Sequence, residues 1–126
     1  MVNLFDQLSQ KSLASVRKTP YRLKSSQEIQ ATRQKGRSFS DQFVVLVVMT
    51  NDLEVTRVAV IASKSVGGAV QRNRCKRLLR SRVNNNWAEM KHGLDVLFIA
   101  RKKLLEASPD EVDVSVRHLM GMAGLI

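Results

Sequence analysis

Cysteine, histidine and aromatic residues are nearly absent from this chain. Its one cysteine, Cys75, offers no disulfide framework and no zinc spacing, so a reducing, cytoplasmic setting is expected. Only His92 and His118 are available for proton transfer, and neither has a cysteine or carboxylate at triad or metal spacing. Acids are outnumbered 11 to 21 by Lys and Arg. Three of them, Asp110, Glu111 and Asp113, read as charges at the start of a helix. No Walker loop occurs, and Gly67-Gly68 alone is no phosphate cradle. A protein-borne active site, a small-molecule substrate and a cofactor held by the protein alone are therefore not expected. Long apolar runs are missing too. The longest, Phe43 to Met49, is strand-sized, and residues 1–20 lack the apolar core of a signal peptide, so no membrane partner is expected.

What is abundant is positive charge. A net +10 over 126 residues implies a polyanionic partner, and with membranes set aside that partner is nucleic acid. The length suits one domain, read as residues 21–126. A weakly ordered arm over residues 1–20 precedes it, where scattered Leu4, Phe5, Leu8, Leu13 and Val16 give way to Pro20.

Ser25 to Gly36 has a serine cap, Glu28 in the first turn and a closing glycine, which predicts a helix. Phe43 to Met49 and Val55 to Ala62 read as strands joined through the turn signal Asn51-Asp52, and they are expected to pair. A helix is predicted from about Ala69 to about Met90, loosened by Asn84-Asn-Asn86. Leu94 to Ala100 is a further strand, and Ser108-Pro-Asp-Glu111 starts the last helix. The order αββαβα predicts an α+β fold, an α/β sandwich with one mixed sheet covered by helices.

The segment from Arg72 to Arg82 carries six Lys or Arg and no acid. Cys75, Leu78, Leu79 and Val83 form its apolar stripe, while Asn73, Arg77 and Arg80 fall opposite and Lys76 flanks them. A solvated helix face would alternate signs. This one does not, which favours phosphate neutralisation. Lys64 ends the preceding strand and Arg101-Lys-Lys103 ends the following one. Parallel pairing of those strands would join all three clusters.

Val66-x-x-Ala69-x-x-Arg72-Asn73-Arg74-x-Lys76-Arg77-x-Leu79-Arg80 resembles the signature of the bacterial ribonuclease P protein subunit family. The resemblance extends through Arg57-Val-Ala-Val-Ile-Ala-Ser-Lys64, Asp95-Val-Leu-Phe-Ile-Ala-Arg-Lys102 and Arg117-His-Leu-Met120, and starts near Tyr21-Arg-Leu-Lys24. It implies a left-handed crossover through the basic helix. It also implies a subunit of an endoribonuclease that assists a catalytic RNA in removing the 5′ leader of precursor tRNA. The catalytic groups and the required Mg²⁺ would belong to the RNA. Arg72, Asn73, Arg74, Lys76, Arg77 and Arg80 would bind that RNA, with Asn73 also at an RNA-assisted metal site. Ile29, Arg33, Lys64, Arg101 and Lys102 would line a leader-binding cleft.

The chain departs from the family pattern at several points. Ile29 and Arg33 stand where two aromatics are usual, so Phe39 and Phe43 are expected to supply an aromatic wall. Ser65, Gly68 and Cys75 replace the usual Lys, Asn and aliphatic residue. The alternative class is a ribosomal or other structural RNA-binding protein without a role in cleavage. It shares the charge but gives no reason for Arg72-Asn73-Arg74 directly after a strand, a Lys and a glycine loop.

Overall fold

A computed structural model describes residues 20–126. Residues 1–19, and with them the expected arm, lie outside the described part. Eight elements follow one another: β1 (Tyr21–Arg22), α1 (Ser26–Lys35), β2 (Arg37–Ser40), β3 (Val44–Thr50), β4 (Arg57–Ile61), α2 (Ala69–Asn86), β5 (Leu94–Ala100) and α3 (Pro109–Met122). Short 3₁₀ turns at Trp87–Glu89 and Lys102–Glu106 follow α2 and β5. The expected α+β class holds, but the order contains two short strands, β1 and β2, that the apolar pattern does not announce.

The sheet order is β1-β4-β5-β3-β2. This corrects the expected pairing of the first two long strands, Phe43 to Met49 and Val55 to Ala62. β3 and β4 are not neighbours, because β5 inserts between them, antiparallel to β3 and parallel to β4. A central strand can satisfy backbone groups on both of its edges, and the uninterrupted apolar run Leu94–Ala100 is suited to that place. The parallel pairing expected between the strands flanking the basic helix is present, with Ile61 opposite Ile99.

Helix ends follow local chemistry. The Ser25 hydroxyl accepts from the Glu28 amide at the start of α1. Ser108 and Glu111 form a reciprocal capping box on α3, with Pro109 in its first turn. α2 stops at Asn86 rather than near Met90. The Asn86 side chain donates to the Arg82 carbonyl, and the Trp87 amide turns back to Asn84. The asparagine run therefore ends the helix instead of loosening its middle.

Alternate residues of the strands face two layers. Leu46, Val48, Val58, Val96 and Phe98 meet Cys75, Leu79 and Val83 of α2 and Val112, Val116, Leu119 and Met120 of α3 in the main core. Leu78, expected in the α2 stripe, is half-buried. Val47, Ala59 and Leu97 face the other way and form a smaller core with Leu23, against which Ile29 of α1 packs. α2 and α3 are tied by Arg82–Asp113 at 2.8 Å and by a hydrogen bond from Arg117 to Asn86.

Two anchors hold α1 toward one end of the strands. Arg57 bonds Asp95 at 2.7 Å and Glu28 of α1 at 2.6 Å. At the other end of α1, Gly36 fits where a Cβ would lie 2.6 Å from the Thr32 carbonyl and from Val47. Close backbone approach, not an unusual φ, requires glycine there. Arg57, Asp95, Val47 and Val48 all lie away from the strand ends that carry Ile61 and Ile99. That far end of the α1 face stays partly open.

Candidate nucleic-acid interface

The open end has an apolar floor. Ile61, Ile99 and Val45 are register partners across β4, β5 and β3, and all three are only partly buried against the smaller core. Ile29 of α1 packs against the same smaller core and is half-buried, while Arg33, one helical turn further along α1, is exposed. Lys64 lies three residues beyond Ile61, and Arg101 and Lys102 lie just beyond Ile99. Parallel pairing therefore brings the three exposed cations to one end of the sheet. Arg101 donates to the Asp41 carbonyl at 3.0 Å, which holds its guanidinium against the β2–β3 turn. The floor of Val45, Ile61 and Ile99 was not picked out from the sequence. Their alternation was visible, but not which parity faces α1.

The expected aromatic wall is not in this cleft. Phe39 is paired with Leu46 and shares its face, while Phe43 is buried in the main core on the α2 and α3 side. Strict alternation would put Phe43 on the same side as Val45. The Asp41 carboxylate instead accepts from both the Phe43 and Val44 amides at 2.8 and 3.0 Å, and this turn breaks the pleat. Phe39 additionally carries Arg37 over its ring at 5.3 Å.

On α2, Asn73, Arg74, Arg77 and Arg80 are exposed, and Arg72 and Lys76 are half-buried. Cys75, Leu79 and Val83 on the opposite side are buried, so the helix presents the expected faces. Burial pushes the Cys75 thiol pKa up, with Arg74 pulling weakly the other way. Among the described residues, Arg82 is the one α2 cation in an ion pair, and it turns toward α3. The other five keep their charge uncompensated by carboxylates. Gly67 takes a φ of 151°, within the glycine-favouring range, in the loop that leads from Lys64 into the helix.

Among the described residues no group of three His, Cys, Asp or Glu side chains could hold a metal ion. His92 lies past the 3₁₀ turn, edge-on to Trp87 at 6.5 Å, and His118 is exposed on α3. No described helix is long and apolar enough to cross a membrane.

Comparison with known proteins agrees with this geometry. A family model described as Ribonuclease P matches residues 18–124. The ribonuclease P protein component of Clostridium kluyveri is 41% identical over 107 residues, covering 83% of this chain and 96% of that protein. That of Dehalococcoides mccartyi is 38% identical over 105 residues, covering 83% and 86%. The Staphylococcus aureus RNase P protein structure superposes with a TM-score of 0.76 at 25% identity, covering 83% of this chain and 96% of that one. The Thermotoga maritima RNase P protein shares the fold at a TM-score of 0.73, covering 80% and 96%. With a whole-domain family match joined to an acid-free Arg-Asn-Arg helix behind a parallel strand, the chain belongs to the ribonuclease P protein family.

Proposed function

We propose that the α2 face docks this protein onto the catalytic RNA of ribonuclease P, and that the open end of the α1 cleft holds the 5′ leader of precursor tRNA. Family membership makes the chain a protein component of ribonuclease P, in tRNA 5′ processing, with that enzyme's RNA as its partner. The finer assignment rests on one observation. Among the described residues, Arg72, Arg74, Lys76, Arg77 and Arg80 carry five charges with no carboxylate partner, on a helix whose other side is packed. Such a face is relieved by phosphates.

The leader assignment rests on the half-buried row Val45–Ile99–Ile61 bounded by Lys64, Arg101 and Lys102. An apolar floor takes bases and flanking cations take phosphates. With Ile29 packed against it and Phe39 and Phe43 behind the sheet, recognition leans on charge and aliphatic contact rather than aromatic stacking. Asn73 offers one neutral amide oxygen between Arg72 and Arg74. It fits a metal site only where RNA phosphates supply the negative charge. Mg²⁺ held by the RNA would activate the attacking water. The protein's own residues bind and position RNA, and the compartment is the cytoplasm.

The test is the double variant Arg77→Ala/Arg80→Ala. Its affinity for the catalytic RNA should fall, and the slope of log affinity against log salt should shrink by about 0.7–0.9 per lost phosphate contact. Unchanged affinity and slope would put the RNA face elsewhere.

A further inference from the structure

The outer edge of β4 is only partly used. β1 pairs with it through Tyr21–Arg57 and Arg22–Val58, and the Leu23 amide then bonds the Val58 carbonyl at 2.9 Å before the chain leaves for α1. By strand alternation the N–H and C=O of Val60 point to this same edge, past the end of β1. Among the described residues nothing hydrogen-bonds them there. A cavity of about 340 Å³ opens at this place and wraps the sheet edge from the α1 side to the α2 side. That volume falls in the small-ligand range of roughly 300–1,000 Å³.

The lining is apolar within and cationic at the rim. Leu23, Ile29, Val60, Ile61 and Val83 supply the apolar walls, Ile29 and Ile61 being shared with the leader cleft; Arg22 and Arg80 supply two guanidiniums, and among the described residues no carboxylate takes part. Asn84 completes the rim. It continues the α2 stripe Asn73, Arg77, Arg80 at spacings of four, three and four, so the cavity lies at the far end of the RNA face.

We propose that this cavity binds one unpaired nucleotide of the catalytic RNA. The base lies against the apolar walls, its polar edge meets the free N–H and C=O of Val60, and its phosphate meets Arg22 and Arg80. A flat, partly apolar anion with donors and acceptors on one edge matches this lining. An added peptide strand matches it poorly, because β1 already occupies the start of the edge and β4 ends at Ile61. The catalytic RNA is the source because Arg80 and Asn84 are continuous with the α2 face. The proposal rests on that face being the docking surface.

The pocket is testable without any RNA. The ¹⁵N-labelled full chain is titrated with adenosine 5′-monophosphate, ribose 5-phosphate and inorganic phosphate. Adenosine monophosphate should shift the amide signals of Val60, Leu23 and Asn84, and the two base-free phosphates should not. Equal shifts from all three, or shifts confined to the start of α2, would overturn the base pocket. The second arm uses Asn84→Phe, which fills the mouth without removing charge, and Arg22→Ala, which is off α2 and tests the rim should the first variant melt early. Asn84→Phe should weaken binding of the catalytic RNA, with no tRNA present, by about tenfold, the scale of one lost base contact. Its salt slope should stay unchanged. Normal RNA affinity with lost preference for precursor tRNA would assign the cavity to the leader and overturn the proposal. A failure here with the expected slope change in Arg77→Ala/Arg80→Ala would leave the docking face standing, whereas an unchanged slope there would remove that face itself.

Discussion

At the scale of single residues, burial and position decide what each polar group can do. Cys75 is fully buried beneath the basic face, and burial raises its thiol pKa. A raised pKa in the folded state means the stability it carries is present below the unfolded value, near 9, and is lost as pH climbs through the folded one. Modification by a thiol reagent should therefore be slow in the native chain and rapid in denaturant, with stability falling above about pH 9. Reaction of native protein at the denatured rate would show that the stripe of α2 is not packed. Lys64 is the corresponding test on the exposed side. On the proposed leader assignment, Lys64→Ala should weaken precursor tRNA selectively over mature tRNA in the assembled enzyme, because only the precursor would bring extra backbone phosphates to that end of the sheet. Equal weakening of both would return Lys64 to the general RNA surface.

At the scale of elements, the cleft exists because α1 is fastened toward one end of the strands only. Arg57 carries most of that fastening. The Asp95 carboxylate first, and Glu28 second, hold its guanidinium in the charged form and push its pKa up. The Asp95 side chain is 3% exposed, so truncating Arg57 strands a buried carboxylate, whereas Glu28 is 48% exposed. Arg57→Ala should cost about 3 kcal/mol or more in urea unfolding. Glu28→Ala should cost under about 1 kcal/mol. Equal losses would mean that the sheet pair is not the anchor. Much of this architecture is legible in the chain itself. Ser25, Gly36, Ser108 and Glu111 announce their helix ends, and the run Leu94–Ala100 coincides with β5. The strand order is not legible, because whether β5 lies beside β3 or β4 depends on contacts distant in sequence, and β1 and β2 are too short and polar to show a period. The α2 face follows from helical spacing alone. The cleft floor does not, since a two-residue period sorts each strand into two faces but says neither that Val45, Ile61 and Ile99 line up across strands nor which helix covers them. Phe43 shows the same limit, its parity undone by the turn at Asp41.

At the scale of the molecule, the charges are sorted. Asp95, Glu28, Asp113 and Glu89 are spent in ion pairs with Arg57, Arg82 and Arg117, and Asp110 and Glu111 sit in the first turn of α3. α2 has no acid, so much of the net +10 is displayed by the α2 face and the Lys64, Arg101 and Lys102 end of the sheet. Fixed cations on an RNA-binding surface replace part of the ion atmosphere that an RNA needs to hold its own phosphates together. The cognate catalytic RNA should thus cleave precursor tRNA slowly and only in high Mg²⁺ when alone, and efficiently in low Mg²⁺ once this protein is added. The protein freed of RNA should not cleave at all, since its described residues bring together no acid, base and metal set. Counterion release also sets how the benefit responds to salt. Raising monovalent salt should erode the advantage steeply, and Arg77→Ala/Arg80→Ala should shift the Mg²⁺ requirement back toward that of RNA alone. A benefit that persisted at high salt, or that survived in the double variant, would mean that the protein acts through shape or base contacts and not through this sorted charge.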